Sequence, residues 1–230
     1  MVKLTDKQKQ QLYAFTQNHY VDWYDVQTEL VNHLANGIEK QWQEQPNLSF
    51  EEAVQIEFSK FGVLGFSEVV EQRTKTLDKH YRTLIWQHIK TYFKLPRILL
   101  TLAIIYFYFT ALSLLNNPYV LVLFTFLVFV VVTLWFLKKT LKRIKNLEKR
   151  TKKKWLFDRT ILQIGSISST LNIGIYGPVL FDVSDWSKYQ NLFISVFIVL
   201  FGITLYTCIY VVGPKLRGDM IKRHPEYLEL

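Results

Sequence analysis

Cysteine is nearly absent from this 230-residue chain, which has one, Cys208, inside an apolar run. One thiol builds neither a disulfide framework nor a cysteine-based metal site, so a buried, inert side chain is expected there. The five histidines, His19, His33, His80, His88 and His224, show no HExxH-like spacing, and the ligand sets that hold zinc need such convergence. A phosphate-binding P-loop, a GxGxxG turn after a strand and a nucleophile elbow are all missing. No catalytic residues, metal or cofactor are therefore expected, and the chain reads as a non-enzyme. The first 20 residues lack the apolar core and small-residue cleavage site of a secretory signal, so the N-terminus is expected to stay where it is made.

What the chain does contain is divided sharply. Lys and Arg number 28 against 19 Asp and Glu, and mean hydropathy is only +0.09. That average conceals a polar stretch, residues 1–92, followed by long apolar runs after Phe93. A helix needs ~20 mostly apolar residues to cross a bilayer, and four stretches are expected to do so. The first is Ile98–Leu115. The second, Tyr119–Leu137, follows after only Asn116, Asn117 and Pro118, a turn that fits an antiparallel hairpin. The third, about Thr160–Phe181, carries a polar stripe. The fourth, Leu192–Val212, is expected to close at Gly213 and Pro214. No charge falls inside these runs, which disfavours an ion-coupled pump. Trp135, Trp155 and Trp186 sit near span boundaries, where aromatic belts form.

Basic residues give the orientation, because short basic loops stay in the cytoplasm. Eleven lie between the second and third spans, in a loop over residues 138–159, whereas residues 116–118 carry none and residues 182–190 carry only Lys188. Both termini are expected to be cytoplasmic, with a tail at residues 215–230. Leu137, Leu141 and Ile144 continue the helical spacing of the second span, which predicts a basic helical stalk. Lys142, Arg143, Lys145, Lys149, Arg150, Lys152, Lys153 and Lys154 are its candidate contacts to anionic lipid, each contributing ~1 kcal/mol near a charged surface. Topology alone is a second reading of the same run. Direct nucleic-acid binding is not expected, since no aromatic platform is interleaved with the charge. Asp158 and Arg159 read as a solvated interfacial pair.

Within residues 1–92 the pattern is helical throughout. Thr5–Gln8 and Ser49–Glu52 fit capping boxes. Trp23, Val26, Leu30, Leu34, Ile38 and Trp42 recur on one helical face until Pro46. Phe50, Val54, Phe58 and Phe61 follow on a third helix ending at Gly62, and a fourth begins near Ser67. The run Tyr24-Asp25-Val26-Gln27-Thr28-Glu29-Leu30-Val31-Asn32-His33, with Phe50-Glu51-Glu52-Ala53-Val54 and Phe61-Gly62, resembles the bacterial HAAS family over about 60 residues. Asn32 departs from the acidic residue common before that histidine. The resemblance implies a small helical signalling domain placed before membrane spans, a bacterial inner-membrane setting, and a PadR-type regulator as the class of cytoplasmic partner.

The fold class expected is all-α: a small cytoplasmic helical domain (1–92), then a four-helix transmembrane domain (93–214). Glu29, His33 and Trp23 are the candidate partner-binding residues, with His33 one helical turn after Glu29, where a carboxylate orients an imidazole. A structural role for that pair is the first reading. Gly165, Ser166, Ser169 and Asn172 are read as helix-packing residues, small side chains letting backbones approach and Asn172 bonding across the contact. The function expected is a membrane-anchored adaptor or regulatory protein acting by binding alone. The alternative is a transporter or channel component with the polar third span lining the route. Candidate partners are membrane lipids, a cytoplasmic protein and a second copy of the chain.

Overall fold

The computed structural model describes residues 3–164 and 187–227. They form two compact units, Met1–Asp78 with Leu147–Thr160, and Lys79–Asn146 with Ile161–Leu230.

In the first unit, α1 (Asp6–Asn18) opens on its expected capping box: the Gln8 amide donates to the Thr5 hydroxyl at 3.3 Å and the Thr5 amide to Gln8 Oε1 at 2.9 Å. Two amides that a helix start leaves orphaned are thereby satisfied. α2 (Tyr24–Glu44) buries Val26, Leu30, Leu34 and Ile38, the helical stripe read from the sequence. In its last turn, Trp42 Nε1 donates to the Leu48 carbonyl at 2.9 Å and holds the turn into α3 (Phe50–Ser59). Phe15, Phe58, Phe61 and Phe66 then close the core with edge-on ring contacts. α4 (Ser67–Tyr92), whose residues from Lys79 on belong to the second unit, starts where expected, and Glu29 on α2 meets Arg73 on its first turns at 3.4 Å.

One buried charge fixes how closely α2 and α3 approach. The Glu57 carboxylate is 3% exposed and lies directly against Gly37, so a Cβ at that position would overlap it. Gln41 Nε2 donates to the same carboxylate, and Lys60 Nζ reaches it at 2.5 Å. A buried carboxylate without such partners would be costly. Gly37 is what leaves room for it.

The second unit contains α5 (Arg97–Leu114), most of α6 (Pro118–Thr151), α8 (Lys188–Tyr206), a π-helical turn (Thr207–Val212) and α9 (Gly213–Arg223). α7 (Leu156–Ile164) straddles the two units. Among the described residues, three helical stretches are long and apolar enough to cross a membrane: Arg97–Leu114, Pro118–Thr151 and Lys188–Arg223. Their outward side chains, including Leu99, Phe107, Phe124, Leu127 and Phe193, are exposed, as hydrocarbon-facing positions would be. Leu112, Val122, Phe126, Ile194 and Ile198 share one core. Asn191 at the start of α8 reaches Ser113 at the end of α5 at 3.5 Å, while Phe129 meets Phe201 at 5.4 Å. α6 and α8 therefore run parallel, and α5 runs antiparallel to both. Buried Thr101, Thr133 and Ser195 return their hydroxyls to carbonyls four residues earlier, the usual way such groups are satisfied inside a bundle.

Two sequence expectations change. Gly213 and Pro214 do not end the last span: the helix continues to Arg223. The Gly213 amide donates to the Cys208 carbonyl, a π-type bond, and Pro214 then occupies the first turn of α9. A proline there lacks only an amide that would have had no helical partner. Trp155 is no belt residue, being 3% exposed and edge-on to Tyr24 at 5.2 Å in the first unit. Of the third span, Thr160–Ile164 belong to α7, and the remainder, with Gly165, Ser166, Ser169, Asn172 and Trp186, lies outside the described residues.

Gly37→Val is expected to lower stability by about 2 kcal/mol through overpacking against Glu57. Gly218→Ala, on α9 with nothing within 4 Å of its Cβ position, should stay within about 1 kcal/mol of the parent. Thermal unfolding in detergent followed by tryptophan emission compares the two, and equal losses would contradict the Glu57 contact. The Ser49 hydroxyl, and then the Ser49 amide, hold the Glu52 carboxyl below its ordinary 4.5. A depressed carboxyl stabilises the fold above the unfolded value and loses that contribution as pH falls through the folded one. Ser49→Ala should therefore flatten the acid limb of the stability profile below about pH 4.5.

Candidate functional site

The first turn of α2 is where the first unit gathers residues from distant parts of the chain. α6 ends when Lys152 adopts a left-handed backbone, φ +54°, with its amide donating to the Glu148 carbonyl at 2.8 Å. The chain then runs extended along α2: the Tyr24 amide donates to the Lys154 carbonyl at 2.8 Å, and Trp23 and Lys154 form an isolated parallel bridge. Two residues after Lys154, α7 begins. Its first amide, that of Leu156, donates to Asp25 Oδ1 at 3.0 Å, across 131 residues of sequence. A carboxylate at a helix start satisfies an orphan amide and complements the positive end of the helix dipole.

Side chains complete the seat. Leu156 is 1% exposed and belongs to the same core as Val26, Leu30 and Leu34. Tyr24 lies between Tyr13, stacked at 5.8 Å, and Trp155, while the Lys153 ammonium stands 3.6 Å over its ring. The Arg159 guanidinium lies over Trp23 at 5.6 Å. Magnitudes rank these contacts. Burying a Leu-sized side chain contributes ~1.5–3 kcal/mol, a hydrogen bond ~1 and an exposed cation–π contact ~0.5–1. Burial supplies most of the attachment, and the directional bonds of Asp25 and Tyr24 set its register.

Each residue singled out from the sequence now has a place. Trp23 is half-buried under Arg159 and belongs to this internal seat. Glu29 and His33 are exposed on α2 but do not pair: Glu29 turns to Arg73, and the His33 ring lies edge-on to Phe61 at 5.6 Å. With Asp22, Asn32, Asn36 and Lys40 they form a polar outer face along α2. Asp158, read as half of a solvated pair, is 2% exposed, and Arg159 extends away to Trp23. The Asp158 amide donates to the Trp155 carbonyl at 3.2 Å, and its neighbours Trp155, Leu156 and Phe157 are buried as well. Among the basic stalk residues, Lys142, Lys145, Lys149, Arg150, Lys152 and Lys154 are exposed, whereas Arg143 and Lys153 are half-buried. Lys153 is committed to Tyr24.

Asp25, Tyr24, Gly37 and Glu57 went unsingled in the sequence. Asp25 carried a signal, an acid adjoining the buried stripe of Val26 and Leu30, but no local pattern names a partner 131 residues away. Among the described residues, no three His, Cys, Asp or Glu side chains converge as a metal would require. The arrangement suits holding two stretches of chain together, and it leaves a polar face exposed along α2.

Asp25→Ala is expected to cost about 1–3 kcal/mol, since a buried amide loses its acceptor. Hydrogen exchange should show the Tyr24 and Leu156 amides losing protection while that of Leu34 changes little; unchanged Leu156 exchange would remove Asp25 from the seat. Comparison with family models, with curated proteins and with solved structures finds no match to this chain.

Proposed function

We propose that this chain is a non-enzymatic membrane adaptor or regulatory protein, which binds a cytoplasmic partner through the outer face of α2. The observation that carries the reading is the seat on α2. Residues 1–78 and 147–160 fold as one unit, and between them in sequence lie α5 and the apolar part of α6. A hairpin that leaves a unit and returns to it crosses the bilayer twice, so both stretches lie on one side. The basic excess in residues 138–159 supports the cytoplasm as that side. The unit is thus tied to the membrane at two points of the chain, as a presented domain rather than a free tail.

The same geometry supports four spans. Ile161 lines the same cavity as Lys139 and Arg143 at the basic end of α6, whereas α8 starts beside Ser113, near the 115–117 turn at the opposite end. The apolar run read from the sequence at about Thr160–Phe181 is taken as the third crossing, an assignment that brings both termini to the cytoplasm. The HAAS-like segment adds the setting, a bacterial inner membrane, and the partner class, a PadR-type regulator. Glu29 and His33, exposed and side by side, are its contact residues, and the exposed lysines of the stalk meet anionic lipid.

A double variant, Glu29→Lys with His33→Glu, changes two exposed side chains of α2 and removes only the Arg73 ion pair and the Phe61 ring contact. Crosslinking in membranes followed by affinity purification should show the main cytoplasmic partner of the parent reduced at least several-fold; an identical partner set would sink the α2 reading. Topology is testable in a Cys208→Ser background. Asn116→Cys and Ser187→Cys should react with an impermeant maleimide from outside, and Lys149→Cys should not. An unreactive Ser187→Cys beside a reactive Asn116→Cys would contradict the four-span arrangement.

A further inference from the structure

Within the second unit, α6 and the stretch from the π-turn through α9 leave a cavity of about 610 Å³. Its α6 wall carries Trp135, Phe136, Lys139 and Arg143, and its opposite wall Ile209, Tyr210, Arg217 and Gly218. We propose that this cavity is a binding site for one anionic glycerophospholipid, with the phosphodiester held between Lys139 and Arg217 and an acyl chain on Phe136 and Ile209.

Charge is the first support. Lys139 and Arg217 make no ion pair among the described residues, and no acidic side chain lines the cavity; Asp219, the acid on α9, is not on its wall. Two cations facing one space without a carboxylate repel each other, and an anion between them removes that cost. A guanidinium beside an ammonium also suits a phosphate, the first offering a planar donor fork and the second a point charge.

Shape is the second. Trp135 and Tyr210, 53% and 51% exposed, form the lip, and the Lys139 ammonium stands 5.1 Å over the Trp135 ring. Amphipathic aromatics at such a lip sit at headgroup level, and the apolar floor suits a chain rather than a free phosphate. The wall is shaped by the π-turn, whose extra residue displaces Ile209 and Tyr210 from plain helical register; such turns are frequent at binding sites. Gly218 keeps the space open, with no atom within 4 Å of where its Cβ would lie. The proposal requires that these helices lie in a bilayer and is independent of the partner that α2 binds.

The test uses the full chain, released from nanodiscs containing equal phosphatidylglycerol and phosphatidylcholine and weighed by native mass spectrometry. The parent should retain one phosphatidylglycerol in preference to phosphatidylcholine. Lys139→Gln with Arg217→Gln should weaken that retention roughly tenfold or more, and so should Gly218→Leu, which fills the cavity and leaves charge unchanged. Lys145→Gln with Lys149→Gln, an equal loss of charge on the stalk, should not. Equal retention of the two lipids by the parent, an equal loss in the stalk control, or full retention by Gly218→Leu each overturns the site. Displacement of the lipid by millimolar inorganic phosphate would make it a site for soluble phosphate and overturn the lipid assignment. Partner recovery by Gly218→Leu, measured in the same membranes, is expected to be unchanged, so failure here is separable from failure of the adaptor reading.

Discussion

The attachment of Leu156 to α2 is the contact on which the chain's organisation rests. Its side chain joins the core of Val26, Leu30 and Leu34, and its amide is held by Asp25 at 3.0 Å. Without it, residues 152–160 would be a basic linker between two apolar stretches. With it, they complete the unit that Met1–Asp78 otherwise form alone, through a contact spanning 131 residues of sequence. The free energy comes mainly from burial, while the position along α2 comes from the two main-chain bonds, which tolerate no one-residue slip. Lys152 matters for the same reason: its left-handed backbone ends α6 and turns the chain onto α2.

The second unit answers to a different solvent. Hydrocarbon offers no partner to a backbone amide, so each crossing must be helical and even its hydroxyls must turn inward. That requirement explains why buried Thr133 and Ser195 bond within their own helices. It also explains the π-turn. A proline at residue 214 would clash with and unpair a regular helix, but one turn of wider helix before it makes Pro214 a first-turn residue. The last helix is thereby carried to Arg223, and its basic end is set opposite that of α6. The cavity between α6 and this stretch is lined in part by Gly213 and Pro214.

The two buried acids show how polar groups are placed in a small helical core. Glu57 is surrounded by Gln41 and Lys60 and roofed by a glycine, so its cost is met locally. Asp25 meets its own by capping a helix from another part of the chain. Both are buried charges with hydrogen-bond partners, the condition under which such groups persist. They fix register between helices that apolar stripes alone would hold less specifically.

By itself the sequence determined the elements that depend on neighbouring residues and on solvent. The capping boxes at Thr5 and Ser49, the buried stripe of α2, the hairpin around Asn116–Pro118 and the stalk continuing through Leu141 and Ile144 were all legible, since each follows from local periodicity or from the length of an apolar run. Only the tertiary structure decided that Trp155 and Asp158 are buried, that Glu29 turns to Arg73 instead of His33, that Trp23 serves an internal seat, and that Gly213 and Pro214 are passed rather than obeyed. The physical reason is common to all four. Each outcome is a competition between a local preference of about 1 kcal/mol and burial or pairing with residues far away in sequence, and no local pattern carries the identity of that distant partner.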